Sequence, residues 1–533
     1  MKTTTAWDAV RLPRYSKLKK KGRFDVVVIG GGITGLTAAY LLKKAGKSVC
    51  LLERGRLGNG DTGRTTAHLT YVTDRRISGL VKSFGKETTR LVWQAGVAAI
   101  NTIESIAQEG IECEFRRIPG FLHAPLNVEG DETKQLQADC ETARELGFDA
   151  TFLSNVPRLG KPGVRFSNQA KFHPLRYLAG LARAIDGQGS VIHEESEVGE
   201  VEAQPLALKV GDLRIECDYL VIATHVPLMG IAGLVGATLF QTKLIPYSTY
   251  AISARLPRGA FPEASFWDTS NPYNYLRIDG GKTHDLAIFG GEDHKTGQVE
   301  DTPERFRRLE SLLKQIVPDC KVEDRWSGQV IETIDGLPYI GETADNQFVA
   351  TGFSGNGMTF GTLAGMMACD RALGRDNPWQ EVLNVDRKKL RGAWNLVAEN
   401  IDYPYYLLRD RFTRADASST RAVKRGDGKV IEIDGKRVAC ARDAEGKLHH
   451  VSAVCTHMGC LVHWNQAEET WDCPCHGSRF KRTGEVLAGP AESPLEPVAV
   501  QKPRRTNGRS EKRPRRRSVA SKTDRRSNGR RSG

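Results

Sequence analysis

The chain has 533 residues, of which 39% are hydrophobic and 26% are charged, and its formal net charge is +13. This length is too great for one hydrophobic core, so two or three domains are predicted. A stretch long and apolar enough to span a membrane is missing, and the N-terminal segment lacks the apolar core of a secretory signal. These features argue against a membrane-spanning or secreted protein and predict a cytoplasmic one.

A glycine motif opens the first predicted domain. The segment "RFDVVVIGGGITGLTAAYLLKKAGKSVCLLERG" predicts a buried strand, a glycine turn, a helix and a second strand that ends at Glu53. Gly30, Gly32 and Gly35 give G-x-G-x-x-G, which permits a tight turn, a close backbone approach to a pyrophosphate and close helix–strand packing. Glu53 is placed to accept hydrogen bonds from ribose hydroxyls. The pattern predicts a dinucleotide site.

Two later segments extend this site. "DYLVIATHVP" reads as a second nucleotide-domain strand, and "NQFVATGFSGNGMTFGTLAGMMACDRALG" reads as a strand, a glycine-rich turn and a helix. Helix N-terminal amides at such a turn would stabilise negative charge on a reduced flavin. These pieces, in this order, resemble the D-amino-acid oxidase superfamily of FAD-dependent oxidoreductases, nearest to its glycine and sarcosine oxidase branch. The resemblance covers about residues 23–375.

The resemblance implies an α/β Rossmann-like FAD-binding domain with an α+β substrate domain. It also implies a set of FAD-contacting residues in the nucleotide turn, the loop passing the flavin and the late glycine turn: Gly30, Gly32, Gly35, Glu53, Arg64, Thr65, Thr66, Gly355, Asn356, Gly357 and Met358. The cysteine that tethers flavin in sarcosine-oxidase-like members has no counterpart in "SGQVIETIDGLPYIG". His68 lies one residue out of register with the tethering histidine of the dehydrogenases. FAD is therefore expected to bind non-covalently, with His68 in packing or pocket lining.

The substrate region carries a helical pattern in "ETTRLVWQAGVAAINTIESIAQEG" and a strand pattern in "YNYLRID". The resemblance puts Arg277 where amino-acid oxidases hold the substrate carboxylate, which a guanidinium binds bidentately. A structural or surface arginine is the alternative. Tyr273 and Tyr275 are predicted to line the same pocket, and Trp326 is either pocket wall or core.

The segment "CTHMGCLVHWNQAEETWDCPCHGSRF" contains a C-x-H pair, Cys455 and His457, and a C-x-x-H pair, Cys473 and His476. Two thiolates and two imidazoles suit either a tetrahedral zinc or a Rieske [2Fe–2S] cluster. A second cysteine pair, Cys460 and Cys475, has no use in a zinc site. If the two loops face each other across one metal centre, this pair comes close enough for a disulfide.

"CTHMGC", "CPCHGS" and the later "GPA" closely resemble the Rieske iron–sulfur family, over about residues 426–500. The resemblance implies that Cys455, His457, Cys473 and His476 hold a [2Fe–2S] cluster. Ser478 matches the serine that donates to a cluster sulfur, whereas Phe480 replaces the tyrosine of high-potential members. The Cys460–Cys475 pair is typical of the high-potential branch, so an intermediate potential is expected. The preceding residues alternate apolar and polar between Asp-Gly and Glu-Gly turns, which predicts a small all-β domain.

The excess charge lies at the end of the chain. Residues 502–533 hold 14 Lys and Arg and two Asp and Glu, which accounts for +12 of the net +13. A Ser/Arg/Gly tail of this kind cannot bury a core and is predicted to be disordered. It either keeps the protein in solution or weakly attracts nucleic acid or anionic surfaces. Six cysteines scattered over residues 50–369 are predicted to be buried, reduced thiols.

The predicted organisation has five parts: an N-terminal extension (1–22), the oxidoreductase domain (23–412), a linker (413–425), the Rieske domain (426–501) and the tail (502–533). Within the second part, 23–85, 160–230 and 326–375 are assigned to FAD and 86–160 and 235–325 to the substrate.

The preferred function is FAD-dependent oxidation of an amine or amino acid, with electrons leaving through the cluster to an acceptor protein or a quinone. An NAD(P)H-driven reductase is less favoured, because a second dinucleotide motif is absent from the sequence. The third alternative is a redox sensor without small-molecule turnover.

Overall fold

The computed structural model describes residues 3–127, 130–226, 243–387, 406, 409–410, 415–417 and 419–499. The glycine motif begins an eight-stranded sheet made of β1 (Gly22–Ile29), β2 (Val49–Leu52), β7 (Val191–His193), β8 (Glu200–Ala203), β9 (Leu206–Val210), β10 (Leu213–Ile222), β16 (Tyr339–Ala344) and β17 (Gln347–Thr351). Its order is β16-β17-β10-β1-β2-β7, with β9 also paired to β10 and β8 paired to β9. Strands β1, β2, β7, β10 and β17 run parallel, as expected of a nucleotide-binding sheet.

The helices of the described chain are α1 (Ile33–Lys44), α2 (Ile77–Gln108), α3 (Thr133–Glu145), α4 (Pro174–Ile185), α5 (Thr302–Ile316), α6 (Gly357–Ala372) and α7 (Gln380–Leu383). Helix α2 covers the predicted helical segment except for its last two residues, and it begins ten residues earlier, with a kink where Gly85 has a φ of 84°. Helices α1 and α6 pack closely because Gly365 has no side chain; a Cβ there would lie 2.9 Å from the amide nitrogen of Ala38. Both helices begin at glycine turns, as predicted.

A second sheet of nine strands forms the substrate part. It comprises β3 (His68–Leu69), β4 (Arg116–His123), β5 (Ala150–Leu153), β6 (Gly163–Lys171), β11 (Leu244–Pro257), β12 (Ser265–Asp268), β13 (Tyr275–Asp279), β14 (His284–Lys295) and β15 (Lys321–Thr333). The order is β15-β11-β14-β13-β12-β4-β6-β3, and β5 pairs with β6. Strands β6 and β15 extend into ranges that the sequence assigned to FAD binding. This boundary differs because each strand pairs within the second sheet before the chain crosses to the first.

Residues after 415 form two small antiparallel sheets. One contains β18 (Asp427–Ile433), β19 (Lys436–Arg442) and β20 (Leu448–Ser452), and the other contains β21 (His463–Asn465), β22 (Thr470–Asp472), β23 (Arg479–Lys481) and β24 (Val486–Ala488). Asp434 and Gly435 join β18 to β19 with φ values of 50° and 72°, the backbone form that the Asp-Gly turn predicted. The all-β prediction for this domain is confirmed.

Further sequence predictions concern the scattered cysteines, membrane spans and the basic tail, and the packing of the N-terminal extension is a separate observation. The six cysteines between residues 50 and 369 are buried and free, as predicted. The N-terminal extension packs onto the oxidoreductase part through Trp7, whose indole is buried. Among the described residues, none of the helices is long and apolar enough to cross a membrane. The predicted basic tail lies outside the described residues.

Candidate active site and metal centre

The glycine turn between β1 and α1 admits only glycine at two positions. Gly30 has a φ of 109°, and a Cβ on it would lie 2.4 Å from the carbonyl oxygen of Ala223. A Cβ on Gly35 would lie 1.9 Å from the carbonyl oxygen of Gly30, so the helix could not approach the strand. Helix α1 has no side-chain cap at Gly32. The Ile33 amide donates to the Thr62 hydroxyl at 3.2 Å. The positive end of the helix dipole still faces the part of the cavity that Gly32 and Thr34 line, so the turn fits the nucleotide part of FAD.

Glu53 follows β2 and organises this turn. Its Oε2 accepts a hydrogen bond from the Gly31 amide at 2.7 Å, and its Oε1 accepts one from the Gly55 amide at 2.6 Å. Burial raises the pKa of Glu53, and the two amides oppose that shift. The residue also lines the cavity described below. Its contact with a ribose stays a prediction.

A cavity of about 780 Å³ extends from the glycine turn to the second sheet. Most of the predicted FAD-contacting residues line it: Gly30, Gly32, Glu53, Arg64, Thr65, Thr66, Gly355, Gly357 and Met358. Gly35 and Asn356 do not line it. Asn356 is buried, and it donates from Nδ2 to the carbonyl of Val72 at 3.0 Å and accepts from the amide of Asp74 at 3.3 Å. Its side chain therefore fixes the loop beside the cavity.

The end of the cavity away from the nucleotide turn is polar. Tyr275 lines it as predicted, together with Tyr273, Thr249, Asp74 and Asp293. The Thr249 hydroxyl and the Tyr275 hydroxyl are 3.0 Å apart, and Tyr273 donates to Asp74 at 3.0 Å. The two aromatic rings lie 5.7 Å apart. Two phenols and two carboxyl groups therefore line this end of the cavity.

His68 and Trp326 also line the cavity. Burial, aided by the positive charge of Arg277, lowers the pKa of His68 to about 3, so its ring is neutral. The Trp326 indole donates to the carbonyl of Arg64 at 2.8 Å. Both residues therefore serve as cavity wall, one of the alternatives that the sequence left open for each.

A β-bulge directs Asp293 into this end of the cavity. Ser248 pairs with His294 and Tyr250 pairs with Gly291, so Thr249 faces two residues of β14, Glu292 and Asp293. Glu292 accepts from Arg305 of α5 at 2.8 Å and therefore faces away from the cavity. Bulges commonly re-aim a side chain next to an active site.

Arg277 does not line the cavity, in contrast to the sequence prediction. It is 2% exposed, and its guanidinium forms two hydrogen bonds of 2.8 Å with Asp279. Its remaining terminal nitrogen donates to the carbonyls of Thr66 and Ala67 at 3.1 and 2.9 Å. These partners accept the guanidinium hydrogen bonds that a substrate carboxylate would need. The geometry supports the structural alternative, in which Arg277 holds the loop beside the flavin.

Replacing Arg277 with methionine is expected to destabilise the protein by about 3–5 kcal/mol, because it leaves part of a buried ion pair without its cation. The effect should fall at the lower end, since Lys171 still neutralises Asp279 from 2.8 Å. Urea unfolding measures it. The matched control is Arg255→Met on β11, which removes an exposed ion pair with Glu323. It should change the free energy of unfolding by less than ~1 kcal/mol. A loss of carboxylate affinity without loss of stability would restore the substrate role.

The two ligand loops of the C-terminal domain face each other. The rings of His457 and His476 are 4.9 Å apart and perpendicular, and burial lowers the pKa of each to about 4. Both rings are therefore neutral, the form that binds metal. A hydrogen bond from Cys473 lowers the pKa of Cys455 to about 7, so the two thiols also lie together. Two sulfurs and two imidazoles on opposing loops fit a [2Fe–2S] cluster.

Cys460 and Cys475 form a disulfide that joins the two loops, as the sequence predicted. The amide of Cys455 donates to the carbonyl of Cys460 at 2.8 Å, and the amide of Cys473 donates to the carbonyl of Ser478 at 2.8 Å. The Ser478 hydroxyl accepts from the amide of Ala491 at 3.0 Å and interacts with the Cys455 sulfur. The loop that contains "GPA", the third stretch of the Rieske resemblance, therefore packs directly against the ligand site.

Replacing Cys473 with serine is expected to abolish bound iron, because a hydroxyl is a poor substitute for a thiolate in a Rieske centre. The wild-type protein should contain two irons and two sulfides per chain and give a Rieske-type EPR signal when reduced. Cys440→Ser is the matched control: it is a buried free cysteine of the same domain, on β19, and should keep its iron. Zinc without iron in protein made with ample iron would contradict the cluster assignment.

The cluster-ligand loop contacts the strands that line the cavity. Gln329 of β15 lines the cavity and donates from Nε2 to the carbonyl of Gly477 at 2.8 Å. Gln298 donates to the carbonyl of Pro474 at 3.1 Å. The β23–β24 hairpin also lines the cavity near the nucleotide turn, where Arg54 donates to the carbonyl of Leu487 at 3.1 Å. One layer of sheet therefore separates the cavity from the ligand loop.

The contact includes an ion pair and two close backbone approaches. Arg64 forms an ion pair of 2.6 Å with Glu468, whose side chain is 2% exposed. A Cβ on Gly477 would lie 2.3 Å from the Pro246 ring, and one on Gly297 would lie 2.8 Å from the backbone of Cys473. Both glycines have positive φ values, 69° and 78°. Larger side chains at either position would separate the surfaces.

The fold, the cavity and the thiol–imidazole centre define a flavin-dependent oxidoreductase with a Rieske centre. Residues 25–371 match the family of FAD dependent oxidoreductases, and residues 414–501 match the Rieske [2Fe-2S] domain. The chain belongs to this FAD-dependent oxidoreductase family and carries a Rieske domain after it. It is an enzyme that binds FAD and a [2Fe–2S] cluster.

Three known proteins illustrate the relationship. The Bacillus subtilis protein YhfW, named as a Rieske 2Fe-2S iron-sulfur protein, is 32% identical over 496 residues, which cover 91% of this chain and 96% of that protein. The γ-glutamylputrescine oxidoreductase of Escherichia coli is 26% identical over 417 residues, which cover 74% and 95%. The crystal structure of glycine oxidase from Geobacillus kaustophilus has a TM-score of 0.58 at 20% identity and covers 69% and 99%. That structural likeness shows the fold.

Four residues of the site were missed from the sequence: Asp74, Thr249, Asp293 and Gln329. Asp74 stands in "VTDRR" and Asp293 in "GGEDHK", and neither stretch has a motif spacing. The doubled glycine before Glu292 was a signal for a bulge, since glycine within a strand often marks one. Gln329 carries no signal of its own, because its partner Gly477 is 148 residues away.

Proposed function

We propose that this enzyme oxidises a carbon–nitrogen bond in an amine or amino-acid-like substrate and passes the electrons through its Rieske cluster to an acceptor protein or a quinone. When R₂CH–NHR′ becomes R₂C=NR′, the substrate loses two electrons and two protons. Bound FAD supplies two-electron chemistry and the cluster supplies one-electron transfer, so the acceptor is reduced twice for each substrate. The activity named for the E. coli relative supports an amine-type substrate.

One observation carries the electron route: Gln329 touches both sites. Its backbone belongs to a strand that lines the cavity, and its side-chain amide donates to Gly477, the residue after the predicted ligand His476. Gln329 is 3% exposed, so this contact excludes water. A buried contact between the cavity wall and the ligand loop supports electron transfer within one molecule.

An ion pair and hydrogen bonds join the oxidoreductase part to the Rieske domain in this arrangement. Arg64 belongs to the loop that the resemblance assigns to the flavin, and it binds Glu468 of the Rieske domain. The amide of Ser327 donates to the same carboxylate at 3.1 Å. His463 contacts the carbonyl of Gly297 at 2.8 Å. These contacts orient the ligand loop toward the cavity and support a role for the cluster in turnover.

The test is anaerobic stopped-flow spectroscopy with a panel of amines and amino acids. A substrate should bleach the flavin first and then reduce the cluster, at a rate independent of protein concentration. Cys473→Ser should still bleach but lose turnover with cytochrome c as the one-electron acceptor. A cluster that stays oxidised beside reduced FAD, or fast oxygen consumption that is indifferent to Cys473→Ser, would contradict the proposal. Failure of the whole panel to bleach would favour the alternative of redox sensing without turnover.

A further inference from the structure

Every lysine and arginine that lines the cavity is already paired with a carboxylate of the protein. Arg56 binds Glu194 at 2.7 Å, Arg76 binds Asp139 at 2.7 Å and Arg64 binds Glu468 at 2.6 Å. The other two pairs are Arg54 with Glu197 and Lys481 with Glu485. Arg277 lies outside the lining. The described part of the cavity therefore offers a substrate carboxylate no cation that lacks a partner.

Two carboxyl groups at the substrate end, by contrast, have no cation paired with them among the described residues. Neither Asp74 nor Asp293 forms an ion pair with a described residue. Asp74 accepts hydrogen bonds from the Tyr273 hydroxyl and from the Gly355 amide. The Oδ1 atom of Asp293 is buried and has no hydrogen-bond partner in the described structure. A buried carboxylate oxygen without a partner is costly unless a ligand supplies a donor.

The surroundings of Asp293 suit an organic cation. The bulge that aims its side chain also puts it beside Thr249, whose hydroxyl is shared with Tyr275. Tyrosine faces attract ammonium groups, and the Tyr273 and Tyr275 rings flank this end. His68 is 5.5 Å from the Tyr275 ring and is neutral, so it does not repel a cation.

We infer that the substrate end selects a cation, with the ammonium group of an amine bound by Asp293 and flanked by Thr249, Tyr273 and Tyr275. The inference rests on the proposed function, because it names the substrate class of the same site. It favours amines that need no carboxylate over simple amino acids. Asp293 replaces Arg277 as the residue that chooses the substrate charge.

The experiment compares two ligands of one shape and opposite charge in the FAD-loaded protein at pH 8. tert-Butylamine is a cation at this pH, and pivalate is the matching anion. Neither has a hydrogen on the carbon that bears the charged group, so neither can be oxidised there. Isothermal titration calorimetry should find tert-butylammonium bound at least ~10-fold more tightly than pivalate, the ratio that one hydrogen bond to a charged group provides.

Variants assign this preference to Asp293. Asp293→Asn should weaken tert-butylammonium binding by roughly 10- to 100-fold, while Asp293→Glu, which keeps the charge, should retain most of it. Glu292→Gln is the matched control: it removes the neighbouring carboxylate, which faces Arg305 outside the cavity, and should change the affinity by less than ~2-fold. FAD content, measured for each variant, separates a folding defect from a binding defect.

The outcomes distinguish this inference from the proposed function. Equal binding of both ligands, no binding of either, or an Asp293→Asn variant that binds tert-butylammonium normally would overturn the inference. Each of these results leaves the proposed function standing if amines or amino acids still bleach the flavin. The absence of bleaching by any of them would instead remove the proposed function on which the inference depends.

Discussion

Replacing Gly297 with valine is expected to slow electron transfer from the flavin site to the cluster by roughly 10- to 100-fold. A Cβ at Gly297 would lie 2.8 Å from the carbonyl carbon of Cys473 and from the nitrogen of Pro474. These are backbone atoms of the cluster-ligand loop, which cannot swing aside as a flexible side chain can. Overpacking of this kind costs about 1–3 kcal/mol, which corresponds to a loss of roughly 5- to 150-fold in the docked population.

The same variant should keep its FAD and iron, because Gly297 is not among the residues predicted to hold either group. The second phase of the anaerobic stopped-flow experiment measures the effect. Gly259→Val is the matched control, since Gly259 has a similar φ of 72° but a Cβ there would meet nothing within 4 Å. It carries the same backbone strain without the contact. Equal second-phase rates in both variants would mean that electrons reach the cluster by another route.

The affinity for tert-butylammonium is expected to rise roughly 100-fold between pH 5 and pH 8. Burial raises the pKa of Asp293 to about 7; Asp74 and Glu292 add to the shift, and the Thr249 hydrogen bond opposes it. Only the ionised carboxylate attracts a cation, so binding should strengthen about tenfold per unit until the pH passes 7, and then level off. Calorimetry at several pH values measures this dependence.

The other titratable groups that face Asp293 do not produce this pH dependence by themselves, or change affinity in the same direction. The pKa of His68 is about 3, so this ring stays neutral throughout the range. Burial raises the pKa values of Tyr273 and Tyr275 above their ordinary values, and both phenols stay protonated. Burial also raises the pKa of Asp74, so this carboxyl can only add to the same trend. Asp293→Asn should lose most of the dependence; an unchanged profile in that variant would assign it to Asp74.

The raised pKa of Asp293 also makes the stability of the ligand-free protein depend on pH. The folded pKa of Asp293 lies above the ordinary value of 3.8, so the ligand-free protein binds this proton more tightly than the unfolded chain does. The protonated group therefore favours the fold at pH values below about 4, and that contribution is lost as the pH rises through about 7. A bound ammonium group should reverse part of the loss. Thermal unfolding with and without tert-butylamine at pH 6 and pH 8 measures the difference.

Local motifs explain why much of this protein could be predicted without a structure. The dinucleotide turn depends on Gly30 and Gly35, whose missing side chains are a requirement of the nearby backbone. The cluster loops depend on short cysteine and histidine spacings, and each half of the site lies within four residues. Such chemistry is set by neighbours in the chain. The ligand spacing admits zinc or a [2Fe–2S] cluster, and the resemblance to the Rieske family selects the cluster.

The strand pattern around Arg277 was also predicted correctly, but the role of its side chain was not. A strand pattern gives alternation, so it places Arg277 and Asp279 on one face, but it does not show that this face is buried or which carbonyls lie beside it. Here Asp279, two residues along the same strand, and the carbonyls of Thr66 and Ala67 accept hydrogen bonds from all three guanidinium nitrogens. Arg277, which matches the family position for a carboxylate-binding arginine, thus binds partners within the protein.

The sequence by itself determined the two cofactor domains and their order, because the motifs of turns and ligand loops are local. The cofactor-contacting residues that it names stay predictions. The tertiary structure decided which side chains meet. The bulge at Thr249 turns Asp293 toward the substrate, the pairing of Arg64 with Glu468 joins two domains, and Gln329 reaches Gly477. These contacts join residues up to 404 positions apart in the chain, and their energy depends on burial and on the charge of both partners. The burial of a residue and the identity of its partner are set only when the sheets pack together.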